Sequence, residues 1–169
     1  MTVLAVDGLT FTFPTTGWTA SKYDEWSFYR NQFGKMSDGI KAVDVVAVDA
    51  SVTAWFIEVK DYRHHVRTKP TDLSFEVFRK VFDTLAALLP ASVNANDDSE
   101  RAMARAVLGA SRLRVVLHLE QPAKTSKLRP RAINPVDITQ QLRRLLKPID
   151  AHPLVAETTV AGGLQWNVQ

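Results

Sequence analysis

The sequence has no cysteine among its 169 residues. Disulfide bonds and thiolate metal sites are therefore excluded. No apolar run approaches the roughly 20 residues that a membrane-spanning helix needs, and the start of the chain lacks a basic segment followed by an apolar one. We therefore expect a cytoplasmic protein without a membrane partner.

Glycine is also scarce, with seven in the chain, and the sequence shows no glycine-rich loop that could hold a phosphate. It also shows no internal repeat and no serine–histidine–aspartate arrangement. The length predicts one domain, residues 1–169. Lysine and arginine number 21 against 18 acidic residues, a net charge of +3. This mildly basic balance permits a polyanionic partner without requiring one.

The most informative stretch runs from residue 43 to residue 61, where three charged residues stand among apolar ones. These are Asp44, Glu58 and Lys60. Side chains alternate between the two faces of a strand, so Glu58 and Lys60 share a face with Phe56, and both faces are largely apolar. Such a strand belongs in the middle of a covered sheet, where a carboxylate needs an ionic partner, a hydrogen bond or a metal ion.

Residues 41–49 and 53–62 are close enough in sequence to form a hairpin across Ala50 and Ser51. If Asp44 lies on the same face as Glu58, the loop centres near Ser51 and has an odd number of residues, unless a bulge intervenes. Two carboxylates would then converge beside one ammonium group.

This pattern resembles the signature of the PD-(D/E)xK nuclease superfamily: Asp44, thirteen intervening residues, then Glu58, Val59 and Lys60. Val43 stands where the superfamily's name has a proline. The resemblance covers roughly the first two thirds of the chain. It implies an α/β fold with a central mixed β-sheet flanked by helices. The core would follow the restriction-endonuclease-like order α-β-β-α-β, with extra N- and C-terminal strands.

The resemblance also implies roles for these residues. Asp44 and Glu58 would bind Mg²⁺ or Mn²⁺ with the backbone carbonyl of Val59 as a further ligand, and Lys60 would serve the attacking water. Carboxylates are ligands that Mg²⁺ prefers, and the ion supplies both an activated water and a counter-charge for phosphate. Lys60 could orient that water or stabilise developing charge, and both roles stay open. Glu25, at the border of the apolar stripe of the first predicted helix, is a possible third acid.

A purely structural interpretation of the same residues stays open. Glu58 and Lys60 could face solvent on an edge strand, and Asp44 could be a paired carboxylate near a turn. The apolar residues on both faces of the strand favour the metal site.

Local patterns predict the other elements. The turn Asp7-Gly8 joins strands at 3–6 and 9–13. Four helices are predicted. The first covers residues 21–33, and the second runs from residue 72 until Pro90 ends it. The third covers residues 99–108 with Asp97 as its cap, and the fourth begins at Pro135 with Asn134 as its cap. A strand is predicted at 113–120, and a final hairpin joins 154–160 to 164–168.

The second predicted helix has an aromatic and aliphatic stripe that we expect to pack in the core and not to serve as a stacking platform for bases: Phe75, Phe78, Phe82, Leu85 and Leu89. On its outer flank, Arg79 and Lys80 could reach a backbone phosphate if this helix borders the active site, and ordinary surface pairing, as of Glu76 with Lys80, explains them equally well. Six basic residues are candidate nucleic-acid contacts or plain solvated surface: Arg67, Lys69, Arg79, Lys127, Arg129 and Arg131.

The favoured function is metal-dependent hydrolysis of phosphodiester bonds in DNA, in repair, restriction or phage defence. DNA is preferred over RNA only through the resemblance. The chain carries no module that reads a base sequence, so target choice would come from DNA structure, a homodimer or a larger multi-subunit partner. The alternatives are a catalytically inactive nuclease fold that acts as a protein-interaction scaffold, and an unrelated α+β adaptor.

Overall fold

The computed structural model describes residues 1–124, 126–128, 131–159 and 163–169. These residues form four α-helices: α1 (Ser27–Asn31), α2 (Leu73–Asn94), α3 (Asp98–Leu108) and α4 (Pro135–Leu146). They also form eight strands: β1 (Thr2–Val6), β2 (Leu9–Phe13), β3 (Thr19–Lys22), β4 (Val45–Val48), β5 (Thr53–Asp61), β6 (Arg112–Glu120), β7 (Leu154–Ala156) and β8 (Asn167–Val168).

The larger sheet has the strand order β3-β4-β5-β6-β7. Strands β3, β4 and β5 pair antiparallel, whereas β6 pairs parallel with both β5 and β7. The sheet is therefore mixed, as expected, and β5 lies at its centre. A smaller antiparallel sheet has the order β1-β2-β8.

Each face of the larger sheet is covered by a different layer. Phe56 and Val46 pack into a core with the helices, and this core includes Leu88 of α2. Ile57 points the other way and packs with residues of the smaller sheet, such as Phe11. The strand β5 is thus buried on both faces, because helices cover one face and the small sheet covers the other.

The hairpin of β4 and β5 has the predicted register. Val45 pairs with Ile57, and the same register continued by one residue places Asp44 opposite Glu58. The N–H of Asp49 donates to the carbonyl of Thr53 at 3.0 Å, which closes a three-residue loop centred on Ser51. The odd loop is what brings the two carboxylates to one face.

The first predicted helix is wrong over much of its length. Residues 19–22 form β3, Tyr23–Glu25 form a 3₁₀ turn, and α1 is confined to Ser27–Asn31. The backbone of β3 pairs with β4, for example Ser21 with Val46. Pairing with a neighbouring strand here outweighs the local helical spacing of the aromatic residues.

The second helix differs from its prediction in its end and in its buried face. It continues through Pro90 to Asn94, because the buried residues Leu88 and Ala91 on either side of the proline keep that turn packed. The buried face is instead formed by smaller side chains: Leu73, Val77, Val81, Thr84, Ala87, Leu88 and Ala91. The predicted stripe is wrong for three of its residues, with Phe75 45%, Phe82 52% and Leu89 65% exposed. Phe78 and Leu85 of the same stripe are half-buried and pack against the core.

The final hairpin is also wrong, since its two strands lie in different sheets. Strand β7 extends the larger sheet beside β6, and β8 pairs with β2 of the smaller one. Val160 and Gly162, which the prediction placed in this hairpin, lie outside the described residues. None of the helices in the described ranges is long and apolar enough to cross a membrane.

Candidate active site

The three residues of the predicted site come together on the helix-covered face of the larger sheet. A carboxylate oxygen of Asp44 (Oδ2) accepts the backbone N–H of Val59 at 2.6 Å, which fixes Asp44 against β5. The ammonium nitrogen of Lys60 lies 2.7 Å from Oε1 of Glu58. One surface of the hairpin therefore carries two acids and an amine.

A fourth residue, Lys80 of α2, completes the cluster. Its ammonium nitrogen lies 2.5 Å from Oε1 of Glu58 and 3.5 Å from Oδ1 of Asp44. Its side chain is 15% exposed, so it reaches inward from the helix. A single cation thus contacts both carboxylates.

Glu58 is the most deeply buried charged residue of the cluster, with no exposed surface. Its second oxygen, Oε2, has no hydrogen-bond partner among the described residues. Burial and the neighbouring Asp44 raise the pKa of Glu58 to about 7, although Lys80 and Lys60 act against the shift. Burial thus outweighs the two ammonium groups that contact the Glu58 carboxylate.

Lys60 links this cluster to a second acid on α2, Glu76. Its ammonium lies 3.1 Å from Glu76, which also contacts Arg67 at 2.8 Å and Lys69 at 3.1 Å. Burial would raise the pKa of Glu76, but Lys60 and the two other cations lower it to about 2. Burial would lower the pKa of Lys60, but Glu58 and Glu76 hold it above its ordinary value. Lys60 is therefore protonated at neutral pH.

The expected surface pair of Glu76 with Lys80 is wrong. The two residues are one helical turn apart, yet each contacts a different partner on β5: Glu76 contacts Lys60, and Lys80 contacts Glu58. Both pairs form because this flank of α2 faces the sheet.

The acid beside Asp44 is Asp24, whereas Glu25 lies at the surface. Glu25 pairs with Lys22 at 2.6 Å and its side chain is 50% exposed. Burial and the charge of Asp44 raise the pKa of Asp24, and its Oδ1 is buried without a hydrogen-bond partner among the described residues. Asp24 is thus the better candidate for a third acid.

The donor set fits a hard divalent cation. Mg²⁺ is usually bound in proteins through one or two carboxylates and keeps several waters, which matches Asp44 and Glu58 with the unpartnered Oε2 of Glu58. Within the described ranges, no group of three or more histidine, cysteine, aspartate or glutamate residues is arranged to hold a metal. A bound ion would therefore rely on two acids, and Lys80 would have to move aside.

The predicted nucleic-acid contacts lie in different places. Arg67 and Lys69 contact Glu76 beside the site, and Arg79 pairs with Asp83 on α2. Lys127 is exposed, Arg131 pairs with Glu157, and Arg129 lies outside the described residues.

Lys80 and Asp24 were missed as site residues for different reasons. A sequence signal for Lys80 exists, because it lies beside Val77, Val81 and Thr84 on a second stripe with helical spacing. The prediction instead placed the other stripe in the core, because its phenylalanine side chains are larger. No comparable signal identifies Asp24, because its position depends on the 3₁₀ turn that replaces the predicted helix.

Fold and site together define an α/β protein with a mixed sheet and a buried cluster of acids and lysines. No family model and no solved structure matches the chain significantly. A cysteine–tRNA ligase from Neisseria meningitidis serogroup A / serotype 4A (strain DSM 15465 / Z2491) is 32% identical to it over 160 residues. The alignment includes 77% of this chain and 23% of the ligase, so the chain spans less than a quarter of the length of that protein.

Proposed function

We propose that the chain is a metal-dependent nuclease that hydrolyses phosphodiester bonds of nucleic acid. The observation that supports this most directly is the convergence of Asp44 and Glu58 on one ammonium, with a carboxylate oxygen of Glu58 left unpartnered. The order α1, β4, β5, α2, α3, β6 also supports the proposal, since it follows the α-β-β-α-β order of a restriction-endonuclease-like core with α3 added between α2 and β6. Bound Mg²⁺ or Mn²⁺ would supply an activated water and charge stabilisation for the phosphate.

The chain's own residues would divide the remaining work. Asp44 and Glu58 would hold the cation, with the carbonyl of Val59 as a further ligand, and Asp24 would act as a third acid from beside Asp44 without contacting the ion directly. Because Lys60 is protonated, it stabilises the negative charge that develops on the phosphate rather than accepting a proton. Lys80, which contacts both carboxylates, would serve as a second positive group for the phosphate if the carboxylates held a cation.

DNA is the proposed substrate, and RNA enters the test because the similar ligase is named for a tRNA. The purified chain is incubated with supercoiled plasmid, single-stranded DNA and tRNA, each in Mg²⁺, Mn²⁺ or EDTA. We expect cleavage only with metal, and we expect Asp44→Asn, Glu58→Gln and Lys60→Met each to slow it by roughly 100-fold or more. Cleavage that persists in EDTA or in these variants would overturn the mechanism.

Two adjacent acids provide a matched control for the third ligand. Asp24→Asn should weaken metal binding and slow cleavage, whereas Glu25→Gln removes an exposed charge of the same kind and should leave both unchanged. If Glu25→Gln weakens metal binding and slows cleavage while Asp24→Asn does not, Glu25 is the third acid.

A second candidate function is a catalytically inactive scaffold for protein contacts. The observation that favours it is that Lys80 already contacts both carboxylates, and Lys60 contacts Glu58, without a metal. Titration calorimetry with Mn²⁺ distinguishes the two functions. Binding that is lost in Asp44→Asn supports the nuclease, and absence of binding in the wild-type chain supports the scaffold.

A further inference from the structure

A cleft of about 440 Å³ lies beside the proposed active site, between α2 and the segments that precede β4 and α2. Lys80 and Glu76 are among its lining residues, and Lys80 contacts Glu58 and Asp44, so the cleft borders the proposed site. It is large enough for a ligand of small-molecule size. A substrate strand that reached Glu58 from this side would pass through it.

The cleft is basic. Four cations line it, Lys41, Lys69, Arg79 and Lys80, against the two acids Asp38 and Glu76. The side chains of Lys69 and Arg79 are 63% and 45% exposed, so both can reach a bound ligand. Lys80 is paired with Glu58 and Arg79 with Asp83, so the positive charge open to a ligand is that of Lys41, Lys69 and the exposed part of Arg79. This charge is complementary to a chain of phosphates.

An exposed aromatic ring also lines the cleft. Phe75, in the first turn of α2, is 45% exposed and packs at a ring distance of 5.8 Å against the half-buried Phe78. One face of the ring is thus supported by the protein while part of its surface stays open. A base can stack on such a ring when it is unpaired, whereas the bases of a duplex are already stacked on each other.

We propose that this cleft binds single-stranded nucleic acid, with Phe75 stacking on an unpaired base and Lys41, Lys69 and Arg79 contacting the phosphates. The choice of a polyanionic ligand rests on the proposed nuclease function. The inference adds the structural form of the substrate: a single strand, or the unpaired part of a larger molecule.

Binding is measured by fluorescence anisotropy in EDTA, so that cleavage is not required. The probes are labelled oligo(dT) and oligo(rU) of about twelve nucleotides and a DNA hairpin duplex of matched length. We expect both single strands to bind more tightly than the duplex. Phe75→Ala should weaken this binding about tenfold, and Phe75→Trp should restore it.

Phe82 provides the matched control, because it is an exposed phenylalanine on the same helix that does not line the cleft. Phe82→Ala should leave binding unchanged. Lys41→Met should reduce the slope of log K against log salt by about 0.7, whereas Lys147→Met, at the end of α4, should not. Circular dichroism of each variant excludes a loss of folding as the cause.

Three outcomes would overturn the inference. One is duplex binding as tight as single-strand binding, and a second is an equal effect of Phe75→Ala and Phe82→Ala. The third is a concentration-dependent dimer that both alanine variants abolish, which would make the exposed stripe of α2 an interface between two copies. If single strands bind as expected but no metal supports cleavage, the nuclease proposal fails while the binding site stands.

Discussion

Replacing Lys80 by methionine provides the sharpest test of the site. The substitution keeps the length and apolar part of the side chain but removes the charge that contacts Glu58 and Asp44. Removing one partner of a buried ion pair costs about 3–5 kcal/mol when the other charge is left buried without compensation. Lys60 still contacts Glu58 at 2.7 Å, so we expect a loss of about 3 kcal/mol where Glu58 is ionised. In a chain of this length such a loss lowers the melting temperature by about 10 °C.

The loss should depend on pH in a defined direction. The pKa of Glu58 is raised from 4.5 to about 7, so ionisation of Glu58 lowers the stability of the wild-type protein as pH rises from about 4.5 to 7, with no further loss above 7. Without Lys80 we expect this pKa to rise further. The deficit of Lys80→Met relative to the wild type should therefore be small near about pH 6 and grow toward about pH 9.

Divalent metal should reverse the loss. With Lys80 absent, an added cation no longer competes with an ammonium for the two carboxylates. At a concentration about 100 times Kd, a ligand that binds only the folded state adds about 2.7 kcal/mol of stability. We expect Mg²⁺ and Mn²⁺ to stabilise Lys80→Met more than the wild type.

The assay is urea denaturation followed by circular dichroism, in EDTA, Mg²⁺ and Mn²⁺, across that pH range. Urea is uncharged and does not screen the ion pairs. Arg79→Met is the matched control, because Arg79 is on the same helix but is exposed and contacts only Asp83 among the carboxylates of the described residues. Its effect should stay within about 1 kcal/mol and should not respond to metal.

Two results would refute the reasoning. If Lys80→Met is as stable as the wild type at high pH, Lys80 does not compensate Glu58. If neither protein gains stability from metal at any pH, the carboxylates do not form a cation site, and the scaffold function is favoured.

Three further predictions concern the fold. Glu100 accepts the first two N–H groups of α1, so Glu100→Ala should lower the free energy of unfolding by about 2 kcal/mol, and Glu100→Gln by less, in urea titrations. Val52 has a φ of 57°, a backbone conformation that is strained for a β-branched residue. Val52→Asn should therefore raise the free energy of unfolding by about 1 kcal/mol. An unchanged urea midpoint would show that Val52 is not strained. Burial lowers the pKa of His118 despite the opposing Glu120, so the wild type should lose stability as pH falls below about 6.5, and His118→Gln should lose less over the same range.

Several parts of the fold could be read from local sequence because their causes are local. Asp7-Gly8 takes positive φ at both residues, as the two-residue turn requires. Asp97 and Asn134 accept backbone N–H groups at the starts of α3 and α4, as their positions predicted. The burial of β5 on both faces likewise follows from an apolar pattern that no one-sided strand would have.

Tertiary packing alone decided which face of α2 is buried. The sequence offers two stripes with helical spacing, one of large aromatic residues and one built around Val77 and Val81. The smaller stripe packs on the sheet, and Phe75 and Phe82 remain exposed. The rotation of the helix that follows from this choice also carries Lys80 to Glu58.

The carboxylates show the same division between sequence and structure. Side chains alternate along a strand with a period of two, and the loop between β4 and β5 has an odd number of residues. Asp44 and Glu58 therefore lie on the same face of the hairpin. The sequence could not determine which cation lies between them, or that Asp24 rather than Glu25 lies beside Asp44. Those contacts join residues far apart in the chain, and their distances depend on how helix and sheet pack.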